Sequence, residues 1–185
     1  MTLPMDQGYH SLVRDACQIL RDEWAAFIAT YNASVVDIQL PDLPAESIYQ
    51  GEMEKIPSQV LAWIWVEADL TDEPSVAYVG ANRQVYDLRI GCGHRLQQIV
   101  ASDRTDPNNP VLDPHRTNAH AGQRIAGAMG QAACNILLPQ LRENAPGVLN
   151  VRNRNSNRKR SRRFADGTYL VIRTMRITMN AYQGC

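Results

Sequence analysis

Residues 152–163 read RNRNSNRKRSRR, in which Arg152, Arg154, Arg158, Lys159, Arg160, Arg162 and Arg163 are basic and no residue is acidic or large and apolar. Guanidinium forks match the geometry of phosphate oxygens, and the release of condensed counterions drives binding to a nucleic-acid backbone. The same residues equally suit a solvated hairpin loop that meets acidic side chains of its own or an adjacent chain. No aromatic residue interleaves with the arginines and Phe164 only borders them, so stacking on single-stranded bases is disfavoured. The chemistry on offer is ion pairing, with duplex phosphates or with an acidic protein surface.

Cys92, His94, His115 and His120 make a grouping with metal-ligand character. His115 and His120 stand five apart where a helical ligand pair uses four, and Cys92-Gly93-His94 is too short to select a metal, so structural or surface histidines are expected. The spacing of Asp103, Asp106 and Asp113 misses the calcium-loop pattern, and the prolines between them fit a surface loop. The chain carries no GxSxG elbow, no GxxxxGK[ST] loop, no GxGxxG after a strand and no HExxH. No catalytic residue, metal ligand or cofactor is therefore expected, and a small hydrolase or metal enzyme has only scattered His and Asp to recommend it. Large aromatic residues are enriched at protein interfaces, which makes Trp63 and Trp65 a candidate subunit contact, while Trp24 reads as core.

The elements that must position these residues follow from the hydrophobic period. From Ser11 to Tyr31, Val13, Cys17, Leu20, Trp24, Phe27 and Tyr31 recur at steps of three and four, which predicts an amphipathic helix. Residues 32–57 carry prolines and little period, an extended connection with one short strand at Val35–Leu40. Gln59–Asp69 is apolar on both alternating faces and needs cover on both sides. Ser75–Val79 and Arg83–Ile90 read as two more strands about Gly80-Ala81-Asn82, completing an antiparallel meander.

Beyond Gly91-Cys92-Gly93, a helical turn is expected at Leu96–Val100 and a loop at Asp103–Pro114, followed by a second helix from about Thr117 to Leu138 with Ile125, Met129, Ala132 and Ile136 on one stripe. Gly122, Gly127 and Gly130 lie inside that helix, each costing about 1 kcal/mol against alanine, so close approach by the sheet or a neighbouring subunit is expected. Val148–Arg152 and Thr168–Met179 read as strands about a polar loop that ends at the Asp166-Gly167 turn. The sum is a single α+β domain over residues 1–185: a mostly antiparallel sheet of four to five strands with two main helices packed on one face. Loop insertions fall at about residues 32–58 and 101–116, with a basic hairpin loop at 152–166.

Composition narrows the function classes. The formal net charge is zero, yet residues 1–93 hold 14 acids against 5 bases and residues 94–185 hold 5 acids against 14 bases. Opposite signs on two halves favour head-to-tail attraction between copies, or presentation of the basic segment to a polyanion. No apolar run approaches the roughly 18 residues of a spanning helix, the longest being Val60–Val66, so no membrane contact is expected. The N-terminus, with Asp6 and no basic-then-apolar pattern, does not read as a signal peptide, and Cys17, Cys92, Cys134 and Cys185 read as free thiols of a reducing cytosol.

The element order resembles that of the tail-terminator and tail-completion proteins of tailed bacteriophages. The likeness runs over about residues 11–180 and is carried by QVLAWIWVEADL, QVYDLRIGCGH, GQRIAGAMGQAACNILL and DGTYLVIRTMRITM. The resemblance implies an α+β subunit of a ring, expected to be a homohexamer, that caps the tail tube and joins it to the head connector. Its implied partners are other copies of itself, the tail tube protein, head connector and neck proteins, and genomic DNA in the channel. Its implied place is the virion tail or neck, after assembly in the host cytoplasm. Residues 32–57 are longer than a minimal member of that fold needs, and 103–114 is an additional insertion. A head-closure or connector subunit, or a duplex nucleic-acid-binding module using the basic run, are the alternatives.

Overall fold

A computed structural model describes residues 5–34, 39–52, 56–57, 59–71, 83–95, 114–145, 148–153, 160–163 and 168–180. The first helix, α1 (Met5–Ser34), begins before and ends after the span its apolar stripe predicts. Leu12, Val13, Ala16, Cys17, Leu20, Trp24 and Ile28 are buried along it, and the rings of Phe27 and Tyr31 stack with centroids 6.4 Å apart. Trp24 is in the core, its Nε1 donating to the Pro41 carbonyl at 3.2 Å.

The segment after α1 is more than a loop. Asn32 acts like a strand partner, accepting from Leu40 N at 2.8 Å and donating to the Leu40 carbonyl at 3.0 Å, which folds the chain back against the helix. A 3-10 turn at Ala45–Ser47 leads into β1 (Ile48–Gln50). Val35–Ile38, most of the strand expected here, lie outside the described residues. β1 runs parallel to β2 (Ala62–Leu70), with Ile48 opposite Ile64 and Gln50 opposite Val66. Arg21 of α1 donates to the carbonyls of Ala45 at 3.2 Å and Ile48 at 2.6 Å, so the helix occupies acceptors that this edge strand would otherwise present.

β2 pairs antiparallel with β3 (Arg83–Arg95) along its whole length, from Ala62 opposite His94 to Leu70 opposite Tyr86. No strand stands between them, so the meander with Ser75–Val79 as its middle member is not formed; residues 75–79, like Leu96–Val100 and Asp103–Asp113, lie outside the described residues. β3 also continues past Ile90, where the glycines predicted a stop.

α2 (Pro114–Asn144) starts at a proline, whose missing N–H costs nothing in the first turn. It also runs through Pro139, beyond the predicted end at Leu138. The ring removes one helical hydrogen bond, but Leu137 and Leu141 are both buried four residues apart, and continuing the helix keeps Leu141 in the core.

The sheet has six strands in the order β1-β2-β3-β6-β4, where β4 is Val148–Asn153 and β6 is Thr168–Asn180. The remaining strand, β5 (Arg160–Arg163), pairs with Tyr169–Ile172 of β6. Both helices cover one face, where Ile64, Val66, Leu88, Ile90, Met175 and Ile177 meet Leu20, Trp24, Met129, Leu137 and Leu141. Each such side chain contributes roughly 1.5–3 kcal/mol by leaving water. This is the α+β architecture with both helices on one face. Gly130 is explained by it: the Arg173 side chain of β6 crosses 3.0 Å from where a Cβ would stand. Among the described residues, nothing would meet a Cβ at Gly127.

Candidate assembly and polyanion surface

The basic run is divided among strands. β3 pairs with β6 over Thr168–Asn180, so β4 and β5 share the other edge of β6, β4 opposite Met175–Met179 and β5 opposite Tyr169–Ile172. Arg152 belongs to β4, and Arg160, Arg162 and Arg163 belong to β5; Arg154, Arg158 and Lys159 lie outside the described residues. Of the expected hairpin loop at 152–166, Arg152–Asn153 and Arg160–Arg163 are edge strand, ordered by a ladder that their composition does not announce, and the rest lies outside the described residues.

The face of the sheet away from the helices carries the alternate residues. Trp63 and Trp65 lie here, only 4% and 2% exposed, so their rings are covered within the single chain and offer little area to a neighbouring copy. Each indole rests on a glycine of β3: a Cβ at Gly91 would enter the Trp65 ring, and one at Gly93 the Trp63 ring. This is why β3 needs glycine at both positions while remaining a strand. Arg95 lies over the Trp63 ring at 5.3 Å from its centroid and donates to the carbonyls of Pro57 at 2.6 Å, Ile56 at 3.1 Å and Val60 at 3.2 Å. One guanidinium thus holds the chain entering β2 against the end of β3.

Farther along the same face, charges sort by strand. On β2 and beside it stand Glu67, Asp69 and Glu52, the last delivered by Gly51, whose φ of 84° turns the chain and whose N–H donates to Val66 at 2.7 Å. Arg89 of β3 reaches Glu67 at 2.7 Å and Asp69 at 2.6 Å. Burial pushes the Glu67 carboxyl up; Arg89 opposes that, the Asp69 and Glu52 carboxylates add to it, and the Glu52 backbone N–H opposes it. Toward β4 the sign reverses. Arg176 of β6 donates to Asp87 at 3.2 Å, and Arg152, exposed at the edge, stands opposite Arg176 in register. A row across the sheet reads Asp69, Asp87, Arg176, Arg152: two acids, then two bases.

No family model matches this chain, and no curated protein does either.

The other candidate chemistry is distributed differently. Cys92 and His94 point to the helix side of β3, but the Cys92 thiol is fully buried and pushed far up by burial, and the neighbouring Cys134 adds to this while Arg173 opposes it. Burial likewise lifts the Cys17 and Cys134 thiols to about 11. Such thiols stay protonated near neutrality and are poor nucleophiles. Burial lowers His94 from its ordinary value, and its Nδ1 has no hydrogen-bond partner among the described residues. Among the described residues no three of His, Cys, Asp and Glu stand together as a metal site, and no helix is long and apolar enough to cross a membrane. His115 and His120 fall in the first turns of α2, where only the backbone is described, and Asp103, Asp106 and Asp113 lie outside.

Sequence reasoning found the basic run but missed the acidic patch on the face away from the helices. The signal was present in the period of two: Glu67 and Asp69 on one strand, Asp87 and Arg89 on another. Only the register shows that they share a face.

Proposed function

We propose that this chain is a ring-forming structural subunit of a bacteriophage virion, a tail terminator that caps the tail tube and offers the joining surface to the head connector. The observation that carries the reading is the charged face: acids gather at the β1–β2 side of one sheet and bases at its β4 side. A closed ring uses heterologous contacts, in which one surface of a subunit meets a different surface of the next, and opposite charges suit that geometry. The order of helix, strands, helix and closing strands supports it through the resemblance stated above. Genomic DNA in the channel, the tail tube protein and the neck proteins are the partners this assigns, and six copies the expected ring.

The test is assembly on purified tail tubes, viewed by electron microscopy. The expected result is six-fold rings at one end of each tube and tubes that stop growing once capped. Twelve-fold rings would favour a connector subunit instead. Tubes that keep growing without a bound ring would refute the terminator assignment.

A further inference from the structure

We infer that the two helices hold both margins of the sheet shut against strand pairing with another copy of this chain: Arg21 of α1 caps the outer edge of β1, and Arg142 of α2 caps the outer edge of β4. This holds whether or not the chain forms a ring.

The ladder fixes which backbone groups face outward. Arg95 N–H donates to the Leu61 carbonyl at 2.7 Å and Thr71 N–H to the Val85 carbonyl at 2.9 Å, so the odd-numbered residues of β3 bond on the β2 side. Bonding sides alternate along a strand, so the even-numbered residues of β3 bond β6, and the even-numbered residues of β6 face β4 and β5. Asn150 opposite Thr178 and Arg152 opposite Arg176 are then the bonded pairs of β4, and Val151 between them turns its N–H and carbonyl out of the sheet. At the other margin Gly51 N–H donates to the Val66 carbonyl at 2.7 Å, so Tyr49 faces β2 as Gly51 does, while Ile48 and Gln50 face outward.

Each margin has an outward carbonyl that a helix arginine already occupies. Arg21 donates to the Ile48 carbonyl at 2.6 Å, and the Ile48 N–H itself bonds back to the Ala45 carbonyl. β1 is thus left with one outward-facing residue, Gln50, before Gly51 turns the chain. At β4, Arg142 in the last turn of α2 donates to the Val151 carbonyl at 3.4 Å, and a register shift between Val148 and Asn150 interrupts the ladder just before it. The packing makes both contacts available, since α1 lies beside β1 and α2 beside β4. A strand arriving at either margin would have to displace a guanidinium from its carbonyl, and it would find few outward groups in line. Short strands, bulges and charged side chains are the means by which natural sheets keep their edges from pairing.

The experiment replaces each arginine with methionine, which keeps an unbranched stem and removes the donors: Arg21→Met and Arg142→Met. Hydrogen exchange is followed amide by amide over a range of protein concentrations, with sedimentation velocity alongside. In the wild type, exchange at Gln50 N–H and Val151 N–H is expected not to depend on concentration. As concentration rises, Arg21→Met should associate and slow exchange at Gln50 N–H about tenfold, and Arg142→Met should do the same at Val151 N–H. Should a methionine variant fail to melt cooperatively, the glutamine replacement, too short to reach the carbonyl, is read in its place. Folded variants whose edge amides exchange as in the wild type at every concentration would overturn the capping role. Association that leaves those amides untouched would do so as well, because it would run through another surface. Concentration-dependent protection of either amide in the wild type would also overturn it. None of these outcomes involves tube capping, so the terminator assignment stands or falls separately.

Discussion

At the scale of single residues, the glycines of β3 matter most. Gly91 and Gly93 sit where Trp65 and Trp63 lay their rings, so replacing either with alanine forces an indole out of its place. We expect Gly91→Ala or Gly93→Ala to destabilise the chain by about 1–3 kcal/mol, the usual cost of overpacking, with a red shift of tryptophan emission; an unchanged denaturant midpoint and spectrum would contradict the stacking. His94 carries a second expectation. Burial holds its imidazole below the ordinary value of about 6.5, so the unfolded chain binds that proton more readily than the folded one. The stability contributed by the neutral ring is complete above that value and is lost as pH falls through it toward the lowered folded value. Thermal melting should therefore soften on acidification below about 6.5, and less so in His94→Gln. Parallel pH profiles of the two proteins would show no divergence if the ring were solvated.

At the scale of elements, the approach to β2 is held by side-chain bonds. Arg95 fastens Ile56, Pro57 and Val60 through three carbonyls while lying on Trp63. Lysine keeps the charge but lacks the planar fork. Arg95→Lys is expected to cost about 1–3 kcal/mol and to speed hydrogen exchange at Val60 N–H, which donates to Pro57 at 3.1 Å. Equal exchange rates in the two proteins would mean that the clamp is dispensable. The edge of β6 shows the opposite situation: a composition of arginine and asparagine, with little power to order itself, takes strand form because β6 supplies a ready template. Gly127 has no explanation among the described residues, since a Cβ there would meet none of them.

At the scale of the molecule, a net charge of zero conceals a sheet with opposite signs at its two sides. Polarity of this kind steers association and sets orientation more than it adds affinity.

The local content was legible in the sequence. Two helices with their buried stripes, the strand expected over Gln59–Asp69 and found at Ala62–Leu70, the last strand and the two-signed halves all follow from period and composition, which the backbone geometry of one segment fixes by itself. The tertiary structure decided what depends on partners distant along the chain. It made β1 a parallel strand, carried β3 through two glycines under two tryptophans, put Arg152 and Arg160–Arg163 on an edge of β6, and gathered Glu52, Glu67 and Asp69 on the other side of the sheet. Strand order and register are set by which long-range pairings bury the most surface together, and no window of neighbouring residues contains that information.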